Sequence, residues 1–158
     1  MVAKYNLKII LFFCVFILNV IELKSDNEMT NFEITISKAY QSYKENELVI
    51  IDIRTVREWK MTGVIPQSYL INMHTEDFSE NPDFLSEVEL VLNKFKNKNI
   101  AFICASGARS EIVANYFIEK KYKNISHIPA GIVGKENNGW LYLGYPIKSY
   151  DEENKAVN

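Results

Sequence analysis

Cysteine is nearly absent from this chain. Only Cys14 and Cys104 occur in 158 residues, and Cys14 lies inside an N-terminal apolar run. With that run removed, Cys104 has no partner for an internal disulfide, and a disulfide framework is excluded. Histidine is as scarce, with His74 and His127 alone. Two histidines and one cysteine cannot be arranged as a zinc site. No lysine–arginine block stands out and the formal net charge is -2, which argues against nucleic acid as a partner. Internal repeats and low-complexity tracts are missing. No apolar run reaches the roughly 20 residues that a spanning helix needs.

What is present suits one domain with one core. Hydrophobic residues make up 47% and charged residues 24%, ordinary for a globular chain. The N-terminus differs from the rest. Lys4 and Lys8 precede an apolar run from Ile9 to Ile21, broken by Asn19. A basic stretch before a short apolar one is the pattern of an export signal, although no small-x-small triplet marks a cleavage site. The expectation is a signal peptide over residues 1–25, a linker over 26–31, a folded domain over 32–150 and a polar tail over 151–158. The protein is then exported, to the periplasm. With the segment uncleaved, residues 4–21 anchor the domain to a membrane instead.

Beyond the linker, short β-rich runs alternate with helical patterns. Phe32 to Ile36 reads as a strand, with Ser37 capping a helix through Tyr43. Leu48 to Ile53 is a continuous apolar run closed by charge, as in a strand buried on both faces. Thr55 to Met61 reads as a short helix stopped by Gly63, and Tyr69 to Asn72 as a strand. Between Asn81 and Asn97, Phe84, Val88, Val91 and Phe95 recur at helical spacing. Asn99 to Ile103 is a strand running into Cys104. Ser110 to Lys121 is a helix with Ile112, Val113, Tyr116 and Phe117 on one face, and Asn124 to Ile128 is the last strand. The remainder reads as loops around a short helix, with Trp140 covering the sheet. This alternation predicts an α/β fold with a mostly parallel central sheet and helices on both faces. Ligands in such sheets bind at the C-terminal ends of strands, and Cys104 stands there.

The run Cys104-Ala105-Ser106-Gly107-Ala108-Arg109-Ser110 carries the chemistry. A thiol reacts as its thiolate, and a free cysteine ionises only near pH 8.5. Ala105, Ser106, Gly107 and Ala108 are small, so their N–H groups can converge into an anion nest. The following helix aims its positive end at the same space. Both favour a reactive thiolate, each pKa unit being worth about 1.4 kcal/mol. Arg109 has two readings, one facing the bound anion and one turned back to Asp52. Ser110 also has two, as a donor to the sulfur and as a helix N-cap. Four residues separate Cys104 from Arg109, one fewer than in the phosphate-sized loop of cysteine phosphatases. The smaller ring suits a sulfur atom held as a persulfide.

The chain resembles a single-domain rhodanese, a sulfurtransferase, from Phe32 to Tyr150. Ile51-Asp52-Ile53-Arg54-Thr55-Val56-Arg57-Glu58-Trp59, continued by Thr62-Gly63-Val64-Ile65-Pro66, is similar to the family's first signature. The Cys104 to Ser110 run is similar to its active-site loop. Gly139-Trp140 with Gly144-Tyr145-Pro146-Ile147 is similar to its closing signature. The resemblance implies that Cys104 attacks the outer sulfur of a small sulfur-containing anion such as thiosulfate. Sulfite leaves and a persulfide remains, which passes to cyanide, a cellular thiol or a protein thiol. No cofactor or metal is implied. Ala105, Ser106, Gly107, Ala108, Arg109 and Ser110 bind substrate, while Asp52, Arg54 and Glu58 are read as an ion-pair cluster supporting the loop. The chain departs from the family where many members carry arginine, at Ala105, and histidine, at Val64. A paired glycine is replaced by Ala130-Gly131, with an apparent insertion over Val133 to Asn138 that is expected to line the pocket. Rival readings are a phosphatase or arsenate reductase, a non-enzymatic binding module, and a persulfide or redox carrier.

Overall fold

Alternation along the strands decides which side of the sheet each residue serves. The computed structural model describes residues 32–152; the expected signal segment, linker and most of the polar tail lie outside them. Strands β1 (Leu48–Asp52), β2 (Tyr69–Leu70), β3 (Asn99–Ile103) and β4 (Ile125–His127) form one sheet in the order β2-β1-β3-β4. Every pairing is parallel, and β1 runs against β3 from Leu48↔Asn99 to Asp52↔Ile103. All five residues of β1 are buried, as a central parallel strand covered on both faces requires. Successive side chains point to opposite faces. Val49, Ile51, Ile53, Ile100, Phe102 and Cys104 join one core. Leu48, Ile50, Ala101 and Ile103 join the other.

Helices cover both faces. α1 (Ile36–Lys44) supplies Ile36 and Ala39 to the second core, together with Trp140. α2 (Val56–Thr62) follows β1 directly. α3 (Phe84–Lys94) and α4 (Ala108–Glu119) pack on the first face through Phe84, Val88, Val91, Val113, Ala114 and Phe117. The α/β expectation with helices on both faces holds. No helix among the described residues is long and apolar enough to cross a membrane.

Several boundaries differ from the sequence reading. The strand expected over Phe32 to Ile36 shrinks to a single bridge, Glu33 with His127. Thr35, not Ser37, caps α1, its side chain accepting the Lys38 N–H at 3.3 Å. The cap wins because Ile36 and Ala39, one turn apart, need the sheet beneath them. β2 keeps only two residues, though Ile71 and Met73 still donate to the Asp52 and Ile53 carbonyls. α4 starts two residues before Ser110, with Gly107 as its cap. Its buried stripe is Ser110, Val113, Ala114 and Phe117, while Ile112 is 63% exposed. The short helix expected near the end of the domain is a series of turns. Trp140 is fully buried, and its indole N–H donates to the Pro146 carbonyl.

Candidate active site

β3 delivers Cys104 to the edge of the first core, where the residue is 1% exposed. The loop that follows is held from one side. The Cys104 carbonyl accepts from Ile132 at 2.9 Å, and the Ala105 carbonyl accepts from Val133 at 2.9 Å and Gly134 at 3.0 Å. A trans peptide points its N–H opposite to its C=O. With those carbonyls turned to the 131–134 segment, the amides of Ala105 and Ser106 face the other way. None of the N–H groups from Ala105 to Ser110 donates to a backbone carbonyl among the described residues. The last three open α4, where first-turn amides lack intrahelical partners and carry the positive end of the dipole. The loop is therefore a row of uncommitted donors beginning at the thiol.

Two glycines make this packing possible. Gly107 sits at φ 94°, and a Cβ there would lie 2.1 Å from the Pro129 carbonyl oxygen. Gly131 sits at φ 64°, and its Cβ would lie 2.5 Å from the Ala105 carbonyl oxygen. A side chain at either position meets rigid backbone in a conformation it resists.

The expected ion-pair cluster is two separate pairs. Asp52 and Arg54 are both buried, with the guanidinium Nε and Nη2 donating to the carboxylate at 2.7–3.1 Å. Arg54 also donates to Thr62 Oγ1 at 2.6 Å and the Gly63 carbonyl at 2.8 Å, tying the end of β1 to the end of α2. The expected alternative pairing of Arg109 with Asp52 is not seen, because Arg54 saturates that carboxylate. Arg109 instead clasps Glu58, Nη1 to Oε2 at 3.0 Å and Nη2 to Oε1 at 2.5 Å. Glu58 also closes a capping box with Thr55 at the start of α2. Burial works against the Glu58 charge, but hydrogen bonds from Arg109 and Thr55 and the arginine charge outweigh it. Its carboxyl lies below the ordinary carboxylate range. Burial likewise opposes the Arg109 charge, and Glu58 more than restores it.

Ser110 is inside the first turn of α4 and is not its N-cap. Its hydroxyl donates to the Gly107 carbonyl at 2.8 Å and accepts from the Cys104 thiol, whose sulfur stands 3.6 Å from Ser110 Oγ. His127 Nδ1 lies 3.4 Å from Ser110 Oγ. The histidine at the end of β4 is buried, and it reaches the thiol's immediate neighbour. Beside the loop lies a cleft of about 490 Å³ lined by Thr55, Arg57, Glu58, Met61, His74, Phe78 and Arg109. Sequence reasoning attached nothing to His74, Met61 or Phe78. The Thr55-x-x-Glu58 spacing does carry a sequence signal, that of a capping box. The Val133–Asn138 segment does not border this cleft; it meets the loop through Val133 and Gly134 on the carbonyl side. Among the described residues no group of three or more His, Cys, Asp or Glu could hold a metal ion.

Comparison with known proteins agrees with this geometry. The family model for the rhodanese-like domain matches residues 35–137. An uncharacterised protein of Rickettsia prowazekii is 34% identical over 121 residues, covering 70% of this chain and 91% of that protein. A tRNA uridine(34) hydroxylase of Prochlorococcus marinus is 33% identical over 91 residues, which are 57% of this chain and 28% of the hydroxylase. A solved rhodanese-related protein from Thermoplasma volcanium superposes with a TM-score of 0.54 at 24% identity, covering 75% of this chain and 98% of that one.

Proposed function

Because the chain belongs to the rhodanese-like domain family, we propose that it is a sulfurtransferase working through a persulfide on Cys104. The observation that carries this reading is the row of uncommitted N–H groups from Ala105 to Ser110, starting at a buried thiol. A buried anion needs donors, and a terminal persulfide sulfur is such an anion. The Cys104 thiolate attacks the outer sulfur of a sulfane donor. With thiosulfate, a new sulfur–sulfur bond forms to Cys104, the old one breaks, and sulfite leaves with its electron pair. A thiophilic acceptor, cyanide or a thiol, then takes the outer sulfur and returns the thiolate.

The loop offers mostly neutral dipoles. Its one cation, Arg109, is engaged by Glu58, and Ala105 brings no charge. This supports a persulfide more strongly than it supports a dianionic donor, and it weighs against phosphate-ester chemistry, which calls for a cation over the transferred group. The hydroxylase relative's tRNA substrate is not carried over, since the match spans 28% of that protein. The basic and apolar start of the chain supports action outside the cytoplasm.

The test is intact-mass measurement of the full chain after thiosulfate. The expected result is a gain of about 32 Da, absent in Cys104→Ser. Absence of any adduct with every sulfane donor tried overturns the reading.

A further inference from the structure

Ser110 Oγ is the meeting point of three groups: the Cys104 thiol at 3.6 Å, the Gly107 carbonyl at 2.8 Å and His127 Nδ1 at 3.4 Å. A serine hydroxyl has one proton to give and can accept two. With Cys104 protonated, the arrangement is satisfied: the thiol donates to Ser110, and Ser110 donates to Gly107. Ionisation sends the thiol proton to bulk water and removes that donor. The sulfur then becomes an acceptor, and the hydroxyl proton it needs is the one held by Gly107. If Ser110 turns to the sulfur, its oxygen has room for a new donor. Among the described residues, the ring nitrogen within reach is His127 Nδ1.

His127 is built for this exchange. It is 2% exposed, fixed at the end of β4 and stacked on Phe32 at 5.2 Å between centroids. Its backbone is held by Phe32 and Ile34 on either side. Nε2 has no hydrogen-bond partner among the described residues. The charged groups around the ring are Glu33, whose Oε1 is 3.9 Å from Nε2, and Glu111. Burial, opposed by those two carboxylates, holds the imidazole below its ordinary pKa. A neutral ring carries its proton on one nitrogen or the other, and neither choice is locked by a strong partner at Nε2.

We infer that His127 is a positioning residue for the nucleophile: its Nδ1–H donates to Ser110, which frees the Ser110 proton to hold the Cys104 thiolate. This rests on Cys104 being the nucleophile and is independent of which sulfur donor is used. The readout is therefore thiol alkylation and not sulfur transfer, so that its failure leaves the sulfurtransferase reading standing.

The experiment is the rate of iodoacetamide alkylation of Cys104 in the full chain across pH. Asparagine places an N–H near the Nδ1 position, and glutamine places one near Nε2. In His127→Gln the rate near pH 6 falls about tenfold, the size of one charge-assisted hydrogen bond. The rate at high pH, where every thiol is ionised, stays unchanged. His127→Asn retains the wild-type profile. Ser110→Ala shows the same loss as His127→Gln, and the double variant loses no more than Ser110→Ala alone. A uniform drop at all pH values, equal behaviour of the Asn and Gln variants, or additive losses in the double variant overturns the inference. In the unaltered chain, imidazole nitrogen shifts give a second test. The proton resides on Nδ1 of His127 once Cys104 is ionised, and finding it on Nε2 throughout is equally decisive against the role.

Discussion

Replacing Arg54 with methionine tests whether the buried pair at the end of β1 organises the domain. The perturbation strands a charge. Asp52 is fully buried and takes three side-chain hydrogen bonds from Arg54. After Arg54→Met the carboxylate keeps one donor, the backbone N–H of residue 54 at 3.1 Å. Thr62 Oγ1 and the Gly63 carbonyl lose their guanidinium donors as well. Removing one member of a buried pair costs about 3–5 kcal/mol, most of it the penalty of the uncompensated charge. A domain of this size has about 5–15 kcal/mol to lose. With a urea slope of about 1.5 kcal/mol/M, a loss of 3 kcal/mol moves the unfolding midpoint by about 2 M. The assay is urea denaturation followed by circular dichroism at pH 7. The double variant Asp52→Asn/Arg54→Met removes the stranded charge and is expected to be more stable than Arg54→Met alone. Two results refute the reasoning: a loss below about 1 kcal/mol, the scale of an exposed pair, or a double variant no more stable than the single one.

Glu58→Gln releases Arg109 into the cleft, so KM for thiosulfate is expected to fall in steady-state assays, while glutamine at this position keeps the capping box with Thr55. The same variant tests a pH dependence. Glu58 is depressed in the folded state, so its contribution is complete above the unfolded carboxyl value of about 4.3 and disappears as pH falls through the lower folded value. The stability difference between wild type and Glu58→Gln is therefore flat above about pH 5 and shrinks only below about pH 4. His127 runs the other way in charge but not in direction. Its depressed folded value means the unfolded chain binds the extra proton, so stability declines as pH drops below about 6.5, and this decline is missing in His127→Asn. Gly107→Ala forces a Cβ onto the Pro129 carbonyl. It is expected to cost at least about 1–3 kcal/mol by thermal melting and to abolish the sulfur adduct.

Local signals in the sequence were enough for the central strands β1 and β3 and for the strand-to-helix placement of Cys104. Leu48 to Ile53 reads as a doubly buried strand because the run is apolar apart from one charge near its end, and the strand observed over Leu48–Asp52 is buried at every residue. Cys104 reads as a strand-to-helix nucleophile because small residues and one glycine follow it directly. Where tertiary packing decides, the local signal fails. Ile112 belongs to an apolar set by composition, yet α4 begins at Ala108, and the stripe that meets the sheet is Ser110, Val113, Ala114 and Phe117. A two-residue shift in the start of a helix is invisible to periodicity, but here it decides between the two readings of Ser110, which is not the N-cap and stands 3.6 Å from the thiol sulfur.

Pairings between distant segments are the least legible of all. Arg109 meets Glu58 across 51 positions, and no spacing rule connects them. What excluded the expected Asp52 partner is also distant in logic if not in sequence: Arg54 must already occupy both carboxylate oxygens. That prior claim is set by Thr62 and Gly63 at the far end of α2, which fix the guanidinium from its other side. A cation inside the Cys104 loop is thus diverted by a chain of satisfied hydrogen bonds that begins on another element. The consequence is chemical. With its cation engaged and its carbonyls tied to Ile132, Val133 and Gly134, the loop is left with backbone N–H groups and the Ser110 hydroxyl, 3.4 Å from His127 Nδ1, to stabilise an anion.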